Sequence, residues 1–209
     1  HGYFIVAEAH TARRGRWGNH WDSFPGYLYA SIWWKDLPFS EITWIPHWVS
    51  VCVLNALVEM GADSARLNLK WPNDIWVDRS LKACGIICEK KSEGVVIGIG
   101  VNLKHAPATL GASVIPSSRE IEPLKLLEKI LEQLSQPCTL DNLKKTYEQH
   151  SLFKAGDVIS WKDEKTQETH QGRVRGLGDF GELLVGLNDG TVIALYSETV
   201  NRVRIERLV

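Results

Sequence analysis

The spacing of hydrophobic positions changes along the chain, and each change marks a different kind of element. Tyr3-Phe4-Ile5-Val6-Ala7 is a short apolar, β-favouring run, and Leu28-Tyr29-Ala30-Ser31-Ile32-Trp33-Trp34 is a second. Between them, Thr11 to Trp21 is polar and broken by Gly15 and Gly18, which predicts a loop joining two strands. Residues 42–60 are apolar on nearly all sides and stop at Gly61, the signature of a buried helix. Pro46, His47, Asn55 and Glu59 interrupt that run, which suits a core helix better than a membrane span. Residues 65–70 alternate as a strand and end at Trp71-Pro72-Asn73-Asp74, where proline cannot donate to a ladder. Residues 75–77, 83–89 and 95–101 read as three more strands with short turns between them, an antiparallel meander.

From Ile121 the period lengthens. Leu124, Leu127, Leu131 and Leu134 fall on one helical face until Pro137, and a further helix is predicted over 140–149. Beyond Lys154 short β runs return at 156–161, 172–177, 182–187 and, after the turn Asn188-Asp189-Gly190, at 191–196. Five short strands at such spacing make a small barrel of roughly 50 residues. The expected fold is therefore α+β: a mixed or antiparallel sheet packed with helices over residues 1–151, then a small β-barrel over 152–209.

Composition narrows the function. The 209 residues hold 24 Lys+Arg against 25 Asp+Glu, so no global field is available to coat a polyanion, and anion chemistry must be local. At 44% hydrophobic and 23% charged, the chain is not of the disordered class. Cys52, Cys84, Cys88 and Cys138 form no C-x-x-C pair and no secretory signal opens the sequence. The expectation is reduced thiols in a cytoplasmic protein, without membrane or nucleic-acid partners.

Three constellations carry candidate chemistry. Arg14-Gly15-Arg16, flanked by Trp17 and Trp21, offers two permanent cations, and glycine there lets the main chain approach an anion closely. Lys70-Trp71-Pro72-Asn73-Asp74, with Lys82 on the returning strand, could gather two ammoniums, an amide and a carboxylate at one cleft. Gly98-Ile99-Gly100-Val101-Asn102 lacks the third glycine and the following helix of a dinucleotide fingerprint. Alternating glycines in a strand instead leave one sheet face bare for a flat ligand, with Asn102 presenting a donor and an acceptor at its end.

In their order these motifs, T-x-x-R-G-R-x-G-x-x-W at 11–21, K-W-P-N-D at 70–74, K-x-x-G-I at 82–86 and G-x-G-x-N at 98–102, resemble the biotin protein ligases. The resemblance implies a biotin/lipoate ligase-like catalytic domain followed by an SH3-like barrel. It implies formation of biotinyl-5′-adenylate from biotin and ATP with Mg²⁺, then transfer of biotin to a lysine of a biotin carboxyl carrier domain, by a monomer or homodimer. By motif matching Lys82, Arg14, Arg16 and Asp74 would be catalytic. His10, Arg14, Gly85, Ile86, Gly98 and Gly100 would hold biotin. Arg16, Trp21, Lys70, Asn73 and Asn102 would hold ATP, and Asp74 would help place Mg²⁺.

The sequence also departs from the family. His10 replaces a glutamine that meets the biotin head group, Arg13 stands where the loop commonly has glycine, and Asn19 replaces an arginine. Relatives place a helix, opened by a Ser-Thr segment, ahead of the first strand; the sequence begins at His1, which implies a fragment, a misassigned start or a pocket lacking one edge. These departures keep two alternatives open, a non-catalytic biotin- or nucleotide-binding relative and a lipoate or octanoate ligase-like enzyme.

Overall fold

A computed structural model describes residues 2–7, 24–104 and 112–206. It divides into two units, residues 1–150 and 151–209. In the first, strands β1 (Gly2–Val6), β2 (Leu28–Trp34), β3 (Leu67–Lys70), β4 (Asp74–Val77), β5 (Leu81–Lys91) and β6 (Gly94–Val101) form one sheet in the order β1-β2-β6-β5-β4-β3. Every neighbouring pair is antiparallel. After β2 the chain crosses the sheet through helix α1 (Ile45–Glu59) to β3 at the far edge, then returns strand by strand as the predicted meander.

Helix α1 is apolar nearly all round, and it is correspondingly buried from Ile45 to Leu57 except at Pro46 and Asn55. A 3-10 turn at Ile42–Trp44 leads into it and Pro46 occupies its first turn, so the predicted helix divides at the position where proline is tolerated. Arg119 closes the other end, donating to the carbonyls of Met60 and Glu59 at 2.8 and 2.9 Å. With its leading turn this is the one segment among the described residues long and apolar enough to cross a membrane, and 67% of it lies buried inside the unit.

Helices α2 (Pro123–Leu134) and α3 (Leu140–His150) pack with α1 on the same side of the sheet. Leu126, Leu127, Ile130 and Leu134 form the buried stripe of α2; Leu124, which the spacing placed on that face, is 62% exposed in the opening turn. Residues 65–66 also differ from expectation, because Asp63 caps a 3-10 turn at Ser64–Arg66 by accepting from the Ala65 N–H, and the strand begins only at Leu67.

The second unit is a five-stranded antiparallel sheet, β7 (Val158–Asp163), β8 (Thr169–Leu177), β9 (Leu183–Gly186), β10 (Val192–Leu195) and β11 (Val200–Ile205), ordered β10-β9-β8-β7-β11. Ile159, Trp161, Val174, Leu183 and Val185 are its buried centre. The fifth strand, which the pattern counted without placing, is β11.

Candidate active site

The site is set by the period-2 alternation of the first sheet. Its buried face carries Leu69, Ile75, Cys84, Ile86, Ile97, Ile99 and Val101 toward the helices. The other face is built from residues that lie opposite one another across five strands. Lys70 faces Asp74, Asp74 faces Gly85, Gly85 faces Gly100, and Gly100 faces Tyr29. Gly98 and its partner Ile87 lie on the same face one row further along. The centre of this face is therefore bare backbone. Among the described residues a Cβ added at Gly98 would meet only Ile87, at an ordinary 3.8 Å, so no packing among them demands glycine there.

One irregularity decides where Lys82 points. Ile75 pairs with Cys84, yet Trp76 pairs with Lys82, which leaves Ala83 as the extra residue of a β-bulge. Simple alternation would put Lys82 on the buried face with Cys84 and Ile86. The bulge lets Ala83 and Cys84 both go fully inside and turns Lys82 out beside Asp74. Its Nζ lies 2.7 Å from Asp74 Oδ1, with the lysine side chain 32% exposed and the carboxylate 15%. Burial, reinforced by the Asp74 charge, pushes the Cys84 thiol above its ordinary range, so it stays an inert core group.

The backbone around Lys82 is pinned from both sides. The Lys82 carbonyl accepts from the Ser113 N–H at 2.9 Å, and the Ala83 carbonyl from the Asn102 N–H at 2.9 Å. Asn102 is buried; its Nδ2 donates to the Ser113 carbonyl at 2.9 Å, while its Oδ1 has no partner among the described residues. Asn73 ties the hairpin loop to β5: its Nδ2 donates to the Ile86 carbonyl and its own carbonyl accepts from the Ile86 N–H at 3.0 Å.

The sheet face and its lysine-carboxylate pair lie within the stretch that has known relatives. Residues 1–103 match the Biotin/lipoate A/B protein ligase family. The biotin--[acetyl-CoA-carboxylase] ligase of Mycobacterium tuberculosis is 33% identical over 110 residues, 51% of this chain and 41% of that protein. The bifunctional ligase/repressor BirA of Bacillus subtilis is 25% identical over 225 residues, 95% of this chain and 66% of that protein. The chain thus spans less than two thirds of either. A biotin protein ligase from Aquifex aeolicus, solved in complex with biotin and ATP, has the same fold with a TM-score of 0.78 at 24% identity, covering 97% of this chain and 89% of that one.

Within this matched stretch the structure brings together Lys70, Asp74, Lys82, Gly85, Gly98, Gly100 and Asn102 on or beside one face. It corrects one residue of the predicted biotin wall. Ile86 alternates to the opposite face and is fully buried, so Ile87 is the side chain that borders the glycines. His10, Arg14, Arg16 and Trp21, with Arg13 and Asn19, lie outside the described residues. Sequence reasoning missed the Ala83 bulge, the segment 113–115 that backs Lys82, and Ile87; only the last had a signal, its spacing of two residues from Gly85, which puts both on one face of a strand. Chemically, the face offers a flat floor for a ligand ring and a lysine at its rim to meet an anion.

Proposed function

We propose that the chain is an ATP-dependent biotin protein ligase. The observation that carries this reading is the Lys82–Asp74 pair, turned by a bulge onto a glycine-bare sheet face within the stretch that matches the ligase family. The first step joins the biotin carboxylate to the α-phosphate of ATP, giving biotinyl-5′-adenylate and pyrophosphate. Two unit charges 4 Å apart repel by about 4 kcal/mol at an effective dielectric of 20, so cations must stand between the reactants. Lys82 supplies one from the sheet rim. Arg14 and Arg16 supply the others by motif, and His10 and Trp21 are assigned to biotin and adenine on the same ground.

Gly85, Gly98 and Gly100 form the floor for the biotin rings, with Ile87 as its apolar border. Asn102 presents its unpartnered Oδ1 to the exocyclic amine of adenine, an acceptor for a donor. Asn73 contributes indirectly, because its amide is engaged in holding β5. No group of three or more metal-ligating side chains occurs among the described residues. Mg²⁺ is commonly held by one or two carboxylates with phosphates and water, so Asp74 fits as a single ligand to an ion that arrives with ATP. The same carboxylate, once Lys82 engages the substrate, is placed to take a proton from the incoming carrier lysine. That amine needs help, since at pH 7 a lysine of pKa ~10.4 is neutral in only about one molecule in a few thousand. The second unit is read as an SH3-like barrel, the protein as cytoplasmic, monomeric or homodimeric, and its partner as a biotin carboxyl carrier domain.

The test is to incubate the chain with biotin, Mg²⁺, ATP and a carrier domain and to measure pyrophosphate and carrier biotinylation. Both products are expected. Pyrophosphate alone restricts the activity to the first half-reaction, and neither product from folded protein overturns the proposal.

A further inference from the structure

Two lysines flank one carboxylate on the ligand face, and the structure treats them differently. Lys82 sits 2.7 Å from Asp74. Lys70 stands directly opposite Asp74 on the edge strand, yet its Nζ lies over the ring of Trp76, 4.4 Å from the centroid. Trp76 pairs with Asn68, so it is the diagonal same-face neighbour of Lys70, within reach of a long side chain. The indole N–H is buried without a hydrogen-bond partner among the described residues, so what Trp76 offers its surroundings is the π face. Two ammoniums crowded on one carboxylate would repel each other. The ring gives the second one a separate seat on the same face of the sheet.

We propose that Trp76 is a positioning residue for Lys70: its ring holds the Lys70 ammonium on the ligand face, apart from the Lys82–Asp74 pair, where it meets the polyphosphate of the nucleotide. This rests on the ATP-using reading above and deepens it. Trp76 itself touches no reacting atom. Its contribution reaches the nucleotide through Lys70, so it should appear in nucleotide affinity, leave biotin affinity alone, and vanish when Lys70 is neutralised.

The experiment measures KM for ATP and for biotin in pyrophosphate release by the full chain, for wild type, Trp76→Leu, Trp76→Phe, Lys70→Met and the Trp76→Leu/Lys70→Met double variant. Equilibrium dialysis against labelled ATP is run on the same proteins. Trp76→Leu should raise KM and Kd for ATP about 3- to 30-fold, the range spanned by cation–π attraction. Trp76→Phe, which keeps a weaker π face, should recover part of that loss. In the Lys70→Met background Trp76→Leu should change ATP affinity less than twofold, and KM for biotin should stay constant throughout. Equal losses for ATP and biotin, or full additivity of the two substitutions, overturn the proposal by reducing Trp76 to a packing group. A wild type that binds ATP but makes no pyrophosphate removes the ligase reading and leaves the coupling to be read from dialysis. A wild type that binds no ATP overturns both.

Discussion

Gly98 is the clearest single residue of the site, because among the described residues only Ile87 comes near the room above it. A Cβ there meets Ile87 at 3.8 Å, an ordinary contact, and β-branched residues favour strands. Gly98→Val should therefore leave thermal stability within about 1 kcal/mol of wild type while raising KM for biotin at least about tenfold, since the added methyls occupy the proposed floor. An unchanged KM for biotin removes Gly98 from the site. Lys82 makes the complementary case. Its pair with Asp74 is partly solvent-exposed, and such pairs contribute only about 0–1 kcal/mol to folding. Lys82→Ala should thus melt near wild type yet lose roughly 10²–10³ in the rate of adenylate formation, the loss typical of removing one electrostatic stabiliser. A variant that unfolds, or one that retains its rate, contradicts the assignment of Lys82 to the reacting anion.

At the level of elements, what the sequence revealed depended on whether the local period was regular. β2 was legible to the residue, because Leu28, Ala30 and Ile32 alternate inward without a break. The helices over 45–59 and 140–150 were legible from period and flanking residues. The bulge in β5 was not, since Leu81-Lys82-Ala83-Cys84 reads equally well in regular alternation, and only the pairing of β4 shows that Ala83 is the surplus residue. That one slip reverses the facing of Lys82. The Ile86 error has a related origin: a motif marks positions in the chain, whereas the sheet sorts them by parity. Turns were legible where backbone chemistry demanded particular residues. Gly190, after Asn188-Asp189, has φ +89°, and none of the described residues lies within 4 Å of where its Cβ would be. Gly190→Ala should destabilise by about 1 kcal/mol through backbone strain alone, read as a lower melting temperature. Stabilisation, the usual result of Gly→Ala where φ is negative, would show that the turn differs.

Across the whole molecule, each unit carries carboxylates held below their ordinary range, but by different means. In the first unit the hydrogen bond and charge of Arg66 lower Asp78, with N–O distances of 2.9 and 2.5 Å, and Lys104 lowers Glu120. In the second, the backbone N–H groups of Thr166 and Lys165 lower Asp163, and that of Thr191 lowers Asp189. A carboxylate lowered on folding stabilises fully above its unfolded pKa, about 3.9 for Asp and 4.3 for Glu, and that stability is lost as pH falls through the folded value. Both units should accordingly lose stability below about pH 4. Salt separates them. At 1 M the screening length is about 3 Å, so the charge attraction of Arg66 for exposed Asp78 weakens, whereas short backbone hydrogen bonds to Asp189 persist. Denaturant unfolding between pH 7 and pH 3 should show that Asp78→Asn shrinks the acid loss at low salt and much less at 1 M. Asp189→Asn should shrink it at both. The opposite pattern would mean that Asp78 is held by hydrogen-bond geometry alone, and that the field around Asp189 comes from charges further along the chain.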